Sequence, residues 1–135
     1  MIIEVKNKGV YIPDFGDNKT LPEAEQIKVH HRYLLPGERQ NFIYTEPLMV
    51  DKLKGEVDSK VKAVQDMTGI AKTIITKIEG FSVKAGSKTV KVDSVDKLYN
   101  TSGVPYALVS DIEIGMFLAS PEVDVDFLSK PSAST

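Results

Sequence analysis

From Ile27 the chain alternates: Ile27, Val29, His31 and Tyr33 fall on one face, and Lys28, His30 and Arg32 on the other. That period of two marks a half-buried strand. Ahead of it, Ile2, Val5, Val10, Tyr11 and Ile12 make two short strand-like pieces around the turn residues Asn7-Lys8-Gly9. Pro13 ends the second piece, and residues 13–26, rich in Pro, Gly, Asp and Asn, form a loop. Leu35-Pro36-Gly37-Glu38 either turns the chain or opens a short helix with Pro36 at its first position. Phe42, Ile43 and Tyr44 continue as strand or helix until Pro47. Residues 48–65 allow two readings: Val57, Val61 and Val64 suit one helical face, and their β-branched side chains suit a strand.

The pattern then changes period. Asp66 is placed to cap a helix whose stripe is Ile70, Ile74 and Ile78, with Ala71 and Ile75 beside it; Gly80 stops it. Thr73-Ile74-Ile75-Thr76 runs against that reading, because β-branched residues favour strands. Phe81–Lys84 and Thr89–Val92 flank Ala85-Gly86-Ser87 as a hairpin. Asp93 or Ser94 caps a short helix through Leu98 and Tyr99, Gly103 breaks it, and Pro105 starts a last helix running to about Ala119. The predicted fold is a single α+β domain over residues 1–128, with antiparallel strands mainly before residue 60 and helices mainly after 66. Residues 129–135, small and polar, form a flexible tail. The predicted core is Ile27, Val29, Tyr33, Phe42, Ile70, Ile74, Ile78, Leu98, Leu108 and Ile112.

Composition sets the class. Apolar content of 41% and charged content of 27% are globular values, and no apolar run approaches membrane-spanning length. Met1-Ile2-Ile3 runs straight into Glu4, so no signal peptide is expected. With no cysteine there is no disulfide, no Cys-ligated metal and no thiol chemistry. The net charge of −2 conceals segregation: residues 52–91 carry nine lysines against four acids, and residues 92–135 two lysines against seven acids. Opposite patches on one small protein favour head-to-tail association or docking to a charged partner. The basic stretch has no Arg and only Phe81 as an aromatic, which argues against nucleic acid as its partner.

Candidate chemistry is sparse. His30 and His31 are adjacent on a strand and point to opposite faces, so they cannot share a metal; Asp14 and Asp17 are the nearest loop carboxylates. Asp14-Phe15-Gly16 matches the kinase magnesium triplet by letters alone, without the rest of the kinase signature. Asp14, Asp17 and Asn18 offer oxygens, but the terminal Glu of a calcium loop is missing. Glu122, Asp124 and Asp126 alternate with Val123, Val125 and Phe127 and read as an acidic solvent face rather than a glycosidase pair. No nucleophile elbow, phosphate loop or dinucleotide fingerprint occurs. The expectation is a protein that is not an enzyme, with no catalytic residue, no metal and no cofactor.

An order of short motifs carries a resemblance. Leu35-Pro36-Gly37-Glu38-Arg39, Ala71-Lys72 through Ile78-Glu79-Gly80-Phe81, Gly86-Ser87-Lys88-Thr89-Val90, Val95-Asp96-Lys97-Leu98-Tyr99 and Ala107-Leu108-Val109 through Asp111-Ile112-Glu113-Ile114 follow one another. From about Leu35 onward the chain resembles phage tail assembly chaperones. The resemblance implies a non-enzymatic protein of the host bacterial cytoplasm. Such a protein binds the tape-measure protein and keeps its apolar helices soluble until tail tube protein arrives. A permanent virion component, a neck or tail connector or a tail completion ring subunit, is the alternative. The N-terminal 34 residues are more β-rich than that mostly helical family leads one to expect.

The last helix points to a partner surface. At about 100° per residue, Leu108, Ile112, Met116 and Ala119 fall within about 80° of arc, an ordinary core stripe. Tyr106 and Phe117 fall on the opposite side, with Ile114 about 60° further round. A helix apolar nearly all round is central to a core or covered by something else. Tyr106, Ile114 and Phe117 are therefore the candidate partner-binding residues, covered by a second copy or by an amphipathic helix of the partner. The alternative is that the N-terminal strands wrap this second face.

Overall fold

The computed structural model describes residues 1–47 and 61–123. In chain order the elements are β1 (Val5–Lys6), β2 (Lys8–Tyr11), β3 (Lys28–Arg32), α1 (Pro36–Arg39), β4 (Ile43–Pro47), β5 (Val61–Gln65), α2 (Met67–Ile74), β6 (Ile75–Glu79), β7 (Ser82–Ala85), β8 (Lys88–Lys91), α3 (Val95–Asn100), α4 (Tyr106–Leu118) and β9 (Glu122–Val123). The strands form a three-stranded sheet in the order β2-β3-β6 and the pairs β1-β9, β4-β5 and β7-β8, every one antiparallel. This is the expected α+β domain. Among the described residues no helix is long and apolar enough to cross a membrane.

The alternation from Ile27 becomes β3, with Val29 and His31 buried and Lys28, His30 and Arg32 half-buried. Pro36 opens α1, and the Glu38 carboxylate accepts the Leu35 N–H at 3.0 Å and both Arg32 Nη groups at 2.7 and 2.9 Å. Residues 61–65 pair with β4, which settles the open reading of that stretch as strand; Val57 lies outside the described residues. Asp66 caps α2 as expected, accepting the Gly69 N–H at 2.9 Å. Ser94 rather than Asp93 caps α3, while Asp93 pairs with Lys97 at 3.2 Å.

One prediction is corrected. The helix expected to run to Gly80 ends at Ile74, and Ile75–Glu79 is strand β6, hydrogen-bonded to β3. The cause is a bulge. Val29 faces Ile78, His30 faces Lys77 and His31 faces Ile75, so Thr76 is an extra residue on β6. The bulge turns Ile75 and Ile78, three residues apart, both into the core. A strand thereby acquires the spacing of a helix, and the β-branched Thr73–Thr76 run takes its preferred state. Gly80 ends this strand instead of a helix. Its φ is +74°, and a Cβ there would clash with the Gln26 carbonyl oxygen, so the chain turns there as glycine allows.

The core joins β3, α2, β6, α3 and α4 through Ile27, Val29, Ile70, Ala71, Ile74, Ile75, Ile78, Val92, Leu98, Leu108, Ile112 and Met116. Phe42 packs against it half-buried. Tyr33, expected inside, lies past the end of β3 and is half-buried, its ring edge-on to His31 at 5.1 Å. The domain boundary at residue 128 and the tail 129–135 lie outside the described residues.

Candidate functional site

α4 is the element on which the candidate residues sit, and its sides are occupied in different ways. Leu108, Ile112 and Met116 face the core and are fully buried. Beside them, Gly115 lets the Tyr11 ring lie on the helix; a Cβ there would stand 2.5 Å from Tyr11 Cζ. The Tyr11 hydroxyl donates to Asp111 Oδ2 at 2.9 Å, and the Asp14 N–H donates to the same oxygen at 2.9 Å. Burial, with the Asp111 carboxylate beside it, pushes the Tyr11 hydroxyl up to about 12. Elsewhere on the helix Glu113 Oε2 accepts from the Thr68 hydroxyl at 2.6 Å and the Tyr99 hydroxyl at 2.7 Å. Burial first and Glu113 second raise the Tyr99 hydroxyl far above its ordinary range. The carboxylates of α4 are thus spent on holding neighbouring elements.

The remaining side is apolar and open. Tyr106 is 83% exposed, Ile114 46% and Leu118 69%. At about 100° per residue these three fall within about 120° of arc, with Ala107, Ser110 and Phe117 between them. Phe117 stands apart from them in burial: it is half-buried, packs against the core, and has the Arg39 guanidinium 6.0 Å from its ring centroid. The N-terminal segment covers α4 at Asp111 and Gly115, the side between the core stripe and the open face. Leu118 was missed from sequence. Its signal is its spacing of four from Ile114. Arg39 over Phe117 had no local signal.

The other sequence candidates resolve into structural roles. His31 is buried, with Nδ1 2.8 Å from the Arg32 carbonyl oxygen. His30 points to the other face, its Nε2 3.0 Å from Glu79 Oε2. Lys77 at 2.7 Å, then His30, pull the Glu79 carboxyl down to about 2. Asn18 is buried and staples its loop: its amide donates to the Pro13 and Ile27 carbonyls, and its Oδ1 accepts the Ile27 N–H at 2.7 Å. Among the described residues no group of three or more His, Asp or Glu is placed to hold a metal ion. Glu122 pairs with Lys6 at 3.0 Å, while Asp124 and Asp126 lie outside the described residues. An open cleft of mixed charge runs along β6, lined by Lys28, Lys77, Glu79, Lys91 and Asp93.

Comparison with protein families, with curated proteins and with solved structures finds no match to this chain.

Proposed function

We propose that this protein is a non-enzymatic phage tail assembly chaperone that acts in the host bacterial cytoplasm by binding the tape-measure protein. The observation that carries the reading is the open face of α4, with Tyr106, Ile114 and Leu118 exposed on a helix whose opposite side is fully buried. A rigid helix with an apolar face suits an amphipathic or apolar helix laid along it. The order of motifs from Leu35 to Ile114 supports the same reading. Tail tube protein is the second partner, arriving as the chaperone leaves.

The experiment is co-expression with the tape-measure protein of the same phage. The chain should keep it soluble and co-purify with it. Tyr106→Asp and Leu118→Asp should each lose that capture while keeping the circular dichroism and melting temperature of the parent. Retained capture in both would overturn the reading. Mass spectrometry of purified particles separates the alternative: a chaperone is absent from them, whereas a permanent neck or tail subunit is present. The three-stranded sheet that ties the N-terminal segment to β6 is the feature that favours that alternative, because a mostly helical chaperone has no need of it.

A further inference from the structure

The charge segregation of the sequence has a definite place in the fold. In the β7–β8 hairpin Ser82 pairs with Lys91, Val83 with Val90, Lys84 with Thr89 and Ala85 with Lys88. Paired residues share a face and successive pairs alternate, so Lys84 and Lys91 lie on one face and Val83 and Val90 on the other. Lys84, Lys88 and Lys91 are exposed, and none has an ion-pair partner among the described residues. Val90 is 38% exposed. β7 and β8 pair only with each other among the described strands. The hairpin therefore presents outer edges with unused backbone groups, and a two-stranded ribbon gains stability from a third strand.

A complementary strand exists in the same sequence. Glu122-Val123-Asp124-Val125-Asp126-Phe127 alternates acid with apolar residue, so in extended form it has one acidic and one apolar face. Its first two residues are already strand, held on β1 by the pairing of Val5 with Val123 and of Lys6 with Glu122. Five further residues, 124–128, follow before the polar end of the chain, a reach of about 17 Å when extended. Its acidic face matches the hairpin face of Lys84 and Lys91, and its apolar face matches that of Val90, which Lys88 shares beside the turn and on which Val83 already packs against the core.

We propose that residues 124–128 of one copy add as a third strand to the β7–β8 hairpin of a second copy, so that copies associate head to tail. The open edge is β8, exposed along its length. There Asp124 and Asp126 lie on the face of Lys91, with Lys84 one strand further in, and Val125 and Phe127 lie on the face of Val90. Such a contact uses different surfaces on the two copies, the tail of one and the hairpin of the other. It leaves the open face of α4 free and stands independently of the chaperone reading.

Sedimentation of the full chain over a range of concentrations tests it. Association should rise with concentration and weaken between about 0.1 M and about 1 M salt, where the Debye length falls from ~10 to ~3 Å. Lys84→Glu with Lys91→Glu, and separately Asp124→Lys with Asp126→Lys, should each weaken association by roughly ten-fold or more, because like charges then face each other. Mixing the two variants should restore it, since each tail then meets a hairpin of opposite sign. A parent chain that stays monomeric overturns the proposal, and so do variants that associate like the parent. A mixture that remains monomeric also overturns it, and places the segment on its own hairpin or on none.

Discussion

The Tyr11 hydroxyl donates to Asp111 Oδ2 at 2.9 Å, joining the second strand of the chain to its last helix. The ring that carries this hydroxyl rests where Gly115 leaves room. Gly115→Ala would normally stabilise a helix by about 1 kcal/mol. Here the added methyl meets a ring that cannot swing away without breaking its hydrogen bond. We expect a net loss of about 1–3 kcal/mol in urea denaturation. In a Tyr11→Ala background the same substitution should reverse sign and stabilise. Gly115→Ala that stabilises the parent would show that the ring yields freely.

Glu113 serves two hydroxyls at once, Thr68 at 2.6 Å and Tyr99 at 2.7 Å. Glu113→Ala leaves both half-buried hydroxyls without their acceptor and should cost about 1–3 kcal/mol. A double-mutant cycle with Tyr99→Phe should show coupling of about 0.5–3 kcal/mol. Additive single effects would mean that α2, α3 and α4 are held by packing alone.

Acid should weaken the fold through half-buried carboxylates that are paired in it. Arg32 holds Glu38 down from 4.5 to about 2, and Lys77 with His30 does the same for Glu79. Each contribution is present above the unfolded value near 4.5 and is lost as pH falls through about 2. Melting temperature should therefore drop across that window, and less steeply in Glu38→Gln. An unchanged acid limb in that variant would remove Glu38 from the account.

At the alkaline end the sign is opposite. Tyr11 is raised from 10.0 to about 12, so the folded chain holds its proton where the unfolded chain has released it. Stability from this group is full below pH 10.0 and is lost as pH rises through about 12. Tyr11→Phe should flatten that decline in melting temperature between those values. An equal decline in the variant would assign it to other groups, Tyr99 first.

Phe117 and Leu118 are neighbours in sequence and should differ in consequence. Phe117 packs half-buried against the core beneath Arg39, so Phe117→Asp sets a carboxylate into an apolar contact and should lower stability by about 1–3 kcal/mol. Leu118 is 69% exposed, and Leu118→Asp should change stability by less than about 0.5 kcal/mol. Equal losses in thermal melts would show that Leu118 is covered.

Local pattern determined most of the elements of this protein. The alternation through Val29 and His31, the cap at Asp66, the hairpin about Gly86 and the stripe Leu108, Ile112 and Met116 depend on neighbours within a few residues, and they lie where the pattern places them. Tertiary structure decided three things that no local window contains. Thr76 became a bulge because β3 lay beside it, and the bulge gave Ile75 and Ile78 a helix-like spacing inside a strand. The apolar circumference of α4 was divided among the core, Tyr11, Arg39 and open solvent, with Arg39 lying 78 residues from Phe117 and Tyr11 104 residues from Gly115, so sequence could mark Tyr106 and Ile114 but could not separate Phe117 from Leu118. Asn18 and Glu113 read as ordinary polar residues in sequence, and each acquired its role from the backbone or hydroxyl groups that folding brought within hydrogen-bond reach. Periodicity is a property of one element, whereas bulges, ring-on-glycine contacts and shared acceptors are properties of two or more, and only packing brings those together.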